Sequence, residues 1–398
     1  MTVKSLVKHS RALSVIVALG LATMNPELAR AFESTARQAI LVDVTGHRVL
    51  YEKNADQRMP TSSMSKMMTI YMVFDALKAG KIKLDDTLTV SEKAWRTTYK
   101  QDESSMFLPI GGQVKVEDLI RGVIIQSGND ATVVLAEGLA GSEAEFVTEM
   151  NDKEKQLGMT NSHFANSNGM PDPEHYSTAR DLATLAEHLN ADFPEYYHYF
   201  GELEYTYNNI KQGNRNPLLY RAGLGVDGLK TGHTDAGGYG LTASAQRNGR
   251  RLVAVVNGLP NMQARADDPA ALLDYGFNEF KAYTLFKAGE TVERAATWEG
   301  VVPSVPLIVD QPVTITLSFA ERKGLKVVAD MPETVKAPIA VGQPIGKLVI
   351  SAPGMSDQDY GLKAGSEVGR LGFFPRISMA AGYLMGNRSE HSSTATGN

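Results

Sequence analysis

Ser63-Met64-Ser65-Lys66 sets a hydroxyl and an amine three residues apart, inside the stretch "PTSSMSKMMT" at residues 60–69. On a helix, residues three apart share a face, so Ser63 Oγ and Lys66 Nζ can approach each other at the helix start. Serine is a poor nucleophile until a base takes its proton, and a neutral lysine is such a base. Burial among apolar groups, or a second cation nearby, lowers a lysine pKa toward neutrality. The methionines around Lys66 suit that purpose. Taken alone, the same pattern also describes a capping serine beside a lysine that carries its charge out to water.

Two further segments bear on that choice. Ser127-Gly128-Asn129 falls between the helical runs "VEDLIRGVIIQ" and "ATVVLAEGLAG", where a hydroxyl and a carboxamide can face a cleft. By itself it is also an ordinary interhelix turn. Lys230-Thr231-Gly232 lies on an expected strand beside the turn "HTDAGG". A glycine there is expected to let a substrate backbone lie close against the strand. The bland reading of Lys230 is an edge-strand charge that deters aggregation.

The elements that must position these groups are legible from periodicity. "RQAILVDVTGHRVLYEKN" alternates on both sides of Thr45-Gly46 and reads as a β-hairpin. A helix follows, capped by Thr61 or Ser62, with Met67, Ile70, Tyr71, Phe74 and Leu77 at helical spacing. "STARDLATLAEHLN" is another amphipathic helix with Ser177 or Thr178 near its cap. "YGLTASAQR" and "RLVAVVNGL" are strands joined at Asn248-Gly249, and "AALLDYGFNEFKAY" reads as a closing helix. Strands at both ends of residues 32–285 around a helical block imply an antiparallel sheet built from both ends and packed against helices. From about residue 290 to 370, short β-prone runs separated by Pro, Gly and Asp read as a small all-β domain without a catalytic constellation.

Composition excludes other classes. With 43% hydrophobic and 21% charged residues and a net charge of -5, the chain reads as a folded protein unsuited to nucleic acid. Cysteine is absent, which removes disulfides, thiolate nucleophiles and zinc–thiolate sites. The eight histidines show no HExxH and no close pair, so no metal is expected. Lys4, Lys8 and Arg11 precede the apolar run "ALSVIVALGLATM", with "ARA" at 29–31, so residues 1–31 read as a signal peptide rather than an anchor.

S-x-x-K, S-G-N and K-T-G, in this order on helix start, helix break and strand, resemble the motif set of the serine β-lactamases and penicillin-binding proteins. "ESSMFLPIGG", "HFANSNGM", "YSTARDLATLA" and "VDGLKTGHTDAGGYGLTASA" extend the likeness, and the chain resembles the low-molecular-mass penicillin-binding proteins, the serine D-alanyl-D-alanine carboxypeptidases. The resemblance implies an α+β fold with a five-stranded antiparallel sheet, and no cofactor. It casts Ser63 as the acylated nucleophile, Lys66 as its base and Ser127 as the hydroxyl that passes a proton to the leaving amine. Asn129 would hold the substrate backbone, and Lys230 would keep the site positive and support the proton relay. Thr231 and Gly232 would line the terminal carboxylate, and the backbone N–H groups of Ser63 and His233 would form the oxyanion hole. Arg215 and Arg265 match family arginines by position and are candidates for that carboxylate, or for surface ion pairs. Asp181 would order a neighbouring loop or complement its helix dipole.

The implied partners are peptidoglycan stem peptides and β-lactams, met in the periplasm. Three rivals stay open: a serine β-lactamase, a D-amino-acid esterase or aminopeptidase on the same scaffold, and a silent cell-wall-binding protein. Against the first, the only match to a deacylating Glu-x-x-Leu-Asn segment is "EHLN" at 187–190, with the wrong spacing and inside a helical pattern. The tail, residues 371–398, carries Phe373, Phe374, Ile377 and Leu384. It reads equally as an interfacial helix in peripheral contact with the inner membrane and as a loosely ordered end.

Overall fold

The computed structural model describes residues 14–15, 32–99, 103–375 and 377. The chain divides into two compact units at Phe280. In the first unit, the alternating N-terminal pattern forms β1 (Gln38–Asp43) and β2 (Arg48–Lys53). Asp43 Oδ1 accepts from the Gly46 N–H at 2.9 Å and closes their turn. A 3₁₀ turn over Ser62–Ser65 then runs into α1 (Lys66–Lys78). The helical block continues with α2 (Val116–Ile124), α3 (Asn129–Ala140), α4 (Glu143–Gln156) and α5 (Ala179–Asp192). Thr178 caps α5 by accepting from the Asp181 N–H. Strands return as β3 (Val226–Thr234), β4 (Gly238–Arg247) and β5 (Arg250–Leu259), followed by α6 (Met262–Glu279). Asn248 and Gly249 have φ of 51° and 78°, the left-handed pair that a two-residue hairpin requires.

These strands form the expected five-stranded sheet, ordered β2-β1-β5-β4-β3, with every neighbouring pair antiparallel. Alternation splits the core in two. Ile40, Val42, Val253 and Val255 face the helical block, while Leu41, Leu252, Ala254 and Val256 pack against Leu272 and Leu273 of α6. β1 is therefore buried at every position. Each fully buried Leu, Ile or Val contributes roughly 1.5–3 kcal/mol, so the sheet is a stiff platform. β3 lies at its edge, and an edge strand turns alternate peptide groups away from the sheet.

The closing helix differs from the sequence reading at both ends. It begins at Met262, because Asn261 Oδ1 accepts from the Ala264 N–H at 2.8 Å, and it carries Pro269 in its interior. "FKAY" is not helical: Phe280–Phe286 is a strand that pairs with Val313–Ser318. Arg250 explains where the helix stops. Its guanidinium donates to the Gly276 and Phe280 carbonyls at 2.9 and 2.8 Å, and to Asp43 Oδ2 at 2.7 Å. The carbonyls of the last turn are thus satisfied by a buried side chain, a partner no local periodicity reveals.

Among its described residues the second unit is built mainly of strands, with a single-turn helix at Phe319–Lys323, whose capping box is Ser318 with Glu321, and helical backbone at residues 373–375. Val305, Leu307, Ile315, Leu348, Ile350 and Leu362 form its separate core. The signal-peptide reading of residues 1–31 lies outside the described residues, except that Ser14–Val15 pairs with Val327 and Val328. Most of the tail, 371–398, also lies outside them. Among the described residues, no helix is long and apolar enough to cross a membrane.

Candidate active site

The turn before α1 brings the first pair together. Residues i and i+3 eclipse in a 3₁₀ turn, and Lys66 Nζ lies 2.8 Å from Ser63 Oγ. Lys66 is 0% exposed, so its amine does not reach water. It also donates to the Asn168 carbonyl at 2.5 Å. The expected hydroxyl cap is absent. Thr61 Oγ1 instead sits 2.5 Å from Ser65 Oγ, and Ser62 Oγ donates to Thr234 Oγ1 at 3.1 Å. The turn is held from outside, because Lys66 must continue into the helix while Ser62 adopts a left-handed φ of 51°.

Part of that support is His175, a residue the sequence reading passed over. Its Nδ1 accepts from the Ala165 N–H at 3.2 Å, which leaves Nε2–H to donate to Ser65 Oγ at 2.6 Å. Burial pushes its pKa down to about 4, so the neutral tautomer persists. The imidazole thereby links the turn of Ser63 to the loop that orients Lys66. His175→Ala should destabilise the protein by about 1–3 kcal/mol in chemical denaturation and slow acylation, with His175→Gln recovering part of both.

That loop is "HFANSNGM". Asn166 Oδ1 accepts from the N–H groups of Gly169 and Met170 at 2.8 and 3.1 Å, which turns the Asn168 carbonyl onto Lys66. Gly169 has φ 79°, and a Cβ there would sit 2.0 Å from the Ser62 carbonyl oxygen.

The break between α2 and α3 supplies the second group. Ser127 is buried with φ 61°, a left-handed residue that ends α2 and lets Asn129 begin α3. Ser127 Oγ accepts from Lys230 Nζ at 3.0 Å. Asn129 Nδ2 donates to Glu103 Oε2 at 3.3 Å, while its Oδ1 is buried without a protein partner. A buried orphan acceptor costs stability, so a donor from a bound molecule is the natural partner.

β3 contributes the third group. Lys230 is 2% exposed, and its Nζ also donates to the Thr231 carbonyl at 3.2 Å. Thr231 and His233 stand opposite Leu241 and Tyr239 of β4, and with a strand period of two their peptide groups point the same way. The exposed His233 ring lies 4.0 Å from the Tyr239 ring, tilted by 30°. The glycine of this motif has a different reason from the one expected. A Cβ on Gly232 would lie 2.7 Å from the Thr61 carbonyl oxygen and 3.2 Å from Ser62 Cβ. Gly232 allows the Ser63 turn to press against the strand. Gly232→Ala should cost about 1–3 kcal/mol and displace Ser63, seen as reduced acylation together with a lowered melting temperature.

These elements enclose a cleft of about 880 Å³ lined by Ser63, Ser127, Asn129, Arg215, Thr231, Gly232, His233 and Arg265. Arg215 donates to Ser104 Oγ at 2.6 Å, and Arg265 stands over Tyr239 with a buried Nε that has no protein partner. Among the described residues neither arginine pairs with a carboxylate. Burial, then Arg215, lowers Lys66 to about 7, against the opposing pull of Glu103 and Asp130. Lys230 is held well below the ordinary lysine range by burial first, then by Lys66, Arg215 and Arg265. With two buried amines and two arginines around it, the cleft is a cation-rich site suited to an anionic ligand and to acyl transfer. Asp181 lies apart, accepting from Asn161 N–H and Ser162 Oγ, so it both sits in its helix's first turn and orders a loop.

The D-alanyl-D-alanine carboxypeptidase profile matches residues 24–261. The chain belongs to the D-alanyl-D-alanine carboxypeptidase family. The profile of the penicillin-binding protein 5 C-terminal domain matches residues 280–372. D-alanyl-D-alanine carboxypeptidase DacC of Escherichia coli is 41% identical over 86% of this chain and 86% of its own. The DacA enzyme of Haemophilus influenzae is 40% identical over 86% of this chain and 88% of its own. The crystal structure of penicillin-binding protein 5 from Haemophilus influenzae superposes with a TM-score of 0.79 at 39% identity, covering 86% of this chain and all of that one.

Within this carboxypeptidase framework, sequence reasoning missed Asn168 and Ser104 as well as His175. Asn168 acts through its carbonyl, which leaves no mark on residue type. Ser104 lies in the block "ESSMFLPIGG" but carries no spacing signal of its own.

Proposed function

We propose that this protein is a serine D-alanyl-D-alanine carboxypeptidase that trims peptidoglycan stem peptides through an acyl-enzyme on Ser63. The observation that carries the reading is the buried Lys66 amine, with a pKa near 7, 2.8 Å from Ser63 Oγ. Lys66 takes the Ser63 proton as Oγ adds to the carbonyl carbon between the two D-alanines. The resulting oxyanion is held by the backbone N–H groups of Ser63 and His233, each donor worth about 3 kcal/mol in such a site. Ser127, hydrogen-bonded to Lys230, passes a proton to the departing amine, and the C–N bond breaks to release D-alanine. Water then cleaves the ester and frees Ser63.

Asn129 Oδ1, left without a partner, is suited to accept from a substrate N–H. Lys230, Thr231, Arg215 and Arg265 make the terminal carboxylate a requirement, which favours a carboxypeptidase over an aminopeptidase. A β-lactam, whose carboxylate and strained amide mimic the same end, would acylate Ser63 and remain. Incubation with a pentapeptide ending in D-Ala-D-Ala should release a single D-alanine per peptide, and release from the amino end would sink this reading.

Export with loss of residues 1–31 completes the proposal, with the enzyme at work in the periplasm. N-terminal sequencing of the protein recovered from that compartment should start near Phe32. Recovery of the processed protein wholly in the soluble fraction would remove membrane contact through the tail.

A further inference from the structure

Glu103 stands half-buried in the wall of the catalytic cleft, on the segment that leads to Ser104 and Ser105. Its carboxylate is out of keeping with its surroundings, where Lys66, Lys230, Arg215 and Arg265 gather positive charge. A negative group there weakens the field that draws an anionic ligand, so it must be accounted for by something else that it does.

What it touches is Asn129. Glu103 Oε2 accepts from Asn129 Nδ2 at 3.3 Å, and Met170 Sδ accepts from the same nitrogen at 3.7 Å. An ionised carboxylate and a thioether are acceptors only, so both demand the NH₂ end of the amide. Turned the other way, Asn129 would set Oδ1 against two acceptors and leave Nδ2 with neither. The rest of the residue has no freedom to compensate. Its N–H donates to the Ser104 carbonyl at 2.8 Å, its carbonyl accepts from Thr132 Oγ1 at 2.7 Å, and it is buried. The segments that carry the two acceptors are fastened as well. Ser105 Oγ donates to Asp130 Oδ2 at 2.9 Å, and the Met170 N–H is shared by Asn166 Oδ1 and Asn168 Oδ1 at 3.1 and 3.0 Å.

We infer that Glu103 is a positioning residue: together with Met170 it locks the Asn129 amide in the one orientation that keeps Oδ1 as the acceptor for a substrate N–H. The inference rests on the carboxypeptidase reading, which supplies that substrate. Oδ1 is buried without a protein partner, so the orientation is held from the donor end alone and is set before substrate arrives. An amide fixed in advance loses no rotational freedom on binding, and an acceptor shielded from water has no solvent competing for the substrate N–H.

The test uses the purified enzyme and a peptide ending in D-Ala-D-Ala. Assays are run well above the Lys66 pKa of about 7, where that amine is neutral whether or not Glu103 is charged. Glu103→Ala should lower kcat/KM for D-alanine release about tenfold, mostly through KM, because the Asn129 contact is made in ground and transition states alike. Glu103→Gln, of the same size, should fall in between, since its amide offers Asn129 either end. The deciding arm reverses the polarity of the pair. Asn129→Asp sets two carboxylates against each other and should lower kcat/KM about a hundredfold. Adding Glu103→Gln gives the introduced carboxylate a donor, keeps an oxygen for the substrate, and should recover about tenfold of that loss. With a merely structural Glu103, the second substitution would deepen the damage instead. Melting temperature should be unchanged in Glu103→Gln, because Ser104 and Ser105 hold the segment. A Glu103→Ala kcat/KM equal to that of the unaltered enzyme, or a double variant no more active than Asn129→Asp, overturns the clamp and leaves the carboxypeptidase intact. No D-alanine from the unaltered enzyme overturns the carboxypeptidase reading and the clamp with it.

Discussion

Ser63→Ala should lower D-alanine release by about 10⁴–10⁶-fold and abolish covalent labelling by a fluorescent penicillin, with an unchanged melting profile. The size of the effect follows from the chemistry. Without Oγ there is no acyl-enzyme, and the remaining cations can bind the carboxylate but cannot split the reaction into two easier steps. Stability should hold because Ser63 Oγ makes its hydrogen bond to Lys66, whereas Ser62, Ser65 and Thr61 fasten the turn. Retained labelling at another residue would sink the assignment. Labelling with rapid turnover of a cephalosporin by the unaltered enzyme would instead move it toward the β-lactamases. Glu187, the glutamate of "EHLN", lies on α5, consistent with the helical pattern that argued against that role.

Lys66 carries the second large effect. Lys66→Ala should slow acylation by about 10³-fold or more, the range for loss of a positioned general base. In the unaltered enzyme the base form is the neutral amine, and with a pKa near 7 its fraction grows as pH rises through 7. The acylation rate should therefore climb about tenfold per pH unit below 7 and level off above it. A flat profile from pH 5 to 8 would refute the role.

Folding stability has its own pH dependence from the same group. The folded pKa is depressed from 10.5 to about 7, so between those values the unfolded chain binds more protons than the native protein. Stability must rise with pH across that window and lose this contribution to its slope outside it. Lys66→Met, similar in length and without charge, should remove this component and raise the melting temperature at pH 7 while abolishing acylation. A lysine kept buried at a cost to stability is what a functional amine requires, and the methionine variant separates the two.

Much of this is legible in the order of residues along the chain. Period-two alternation around Thr45-Gly46, Asn248-Gly249 as a left-handed turn, and helical spacing after Lys66 each specify a local conformation, so the hairpins and α1 can be read directly. The order of Ser63, Lys66, Ser127, Asn129, Lys230 and Gly232 likewise points to one chemistry, because serine needs a base and the base needs a dry, cationic setting. The misreadings share a cause. "FKAY" looks helical because its periodicity continues that of α6, and only Arg250, reaching from β5, satisfies the carbonyls where the helix stops. Thr61 and Ser62 look like caps because hydroxyls there usually are, yet Ser65 and Thr234 are nearer partners in the folded chain.

Residue type and spacing determined which groups could react and in which elements they would lie, since both depend on neighbours a few positions away. Tertiary structure alone decided the state of those groups. That Lys66 is sealed from water beneath Asn168, that Gly232 is a packing requirement of the Ser63 turn, and that His175 braces that turn all depend on contacts between residues about a hundred or more positions apart. A pKa, a close approach and an orphaned acceptor are properties of surroundings, and surroundings form only when the edge strand, the helix break and the Asn168 loop close on one another.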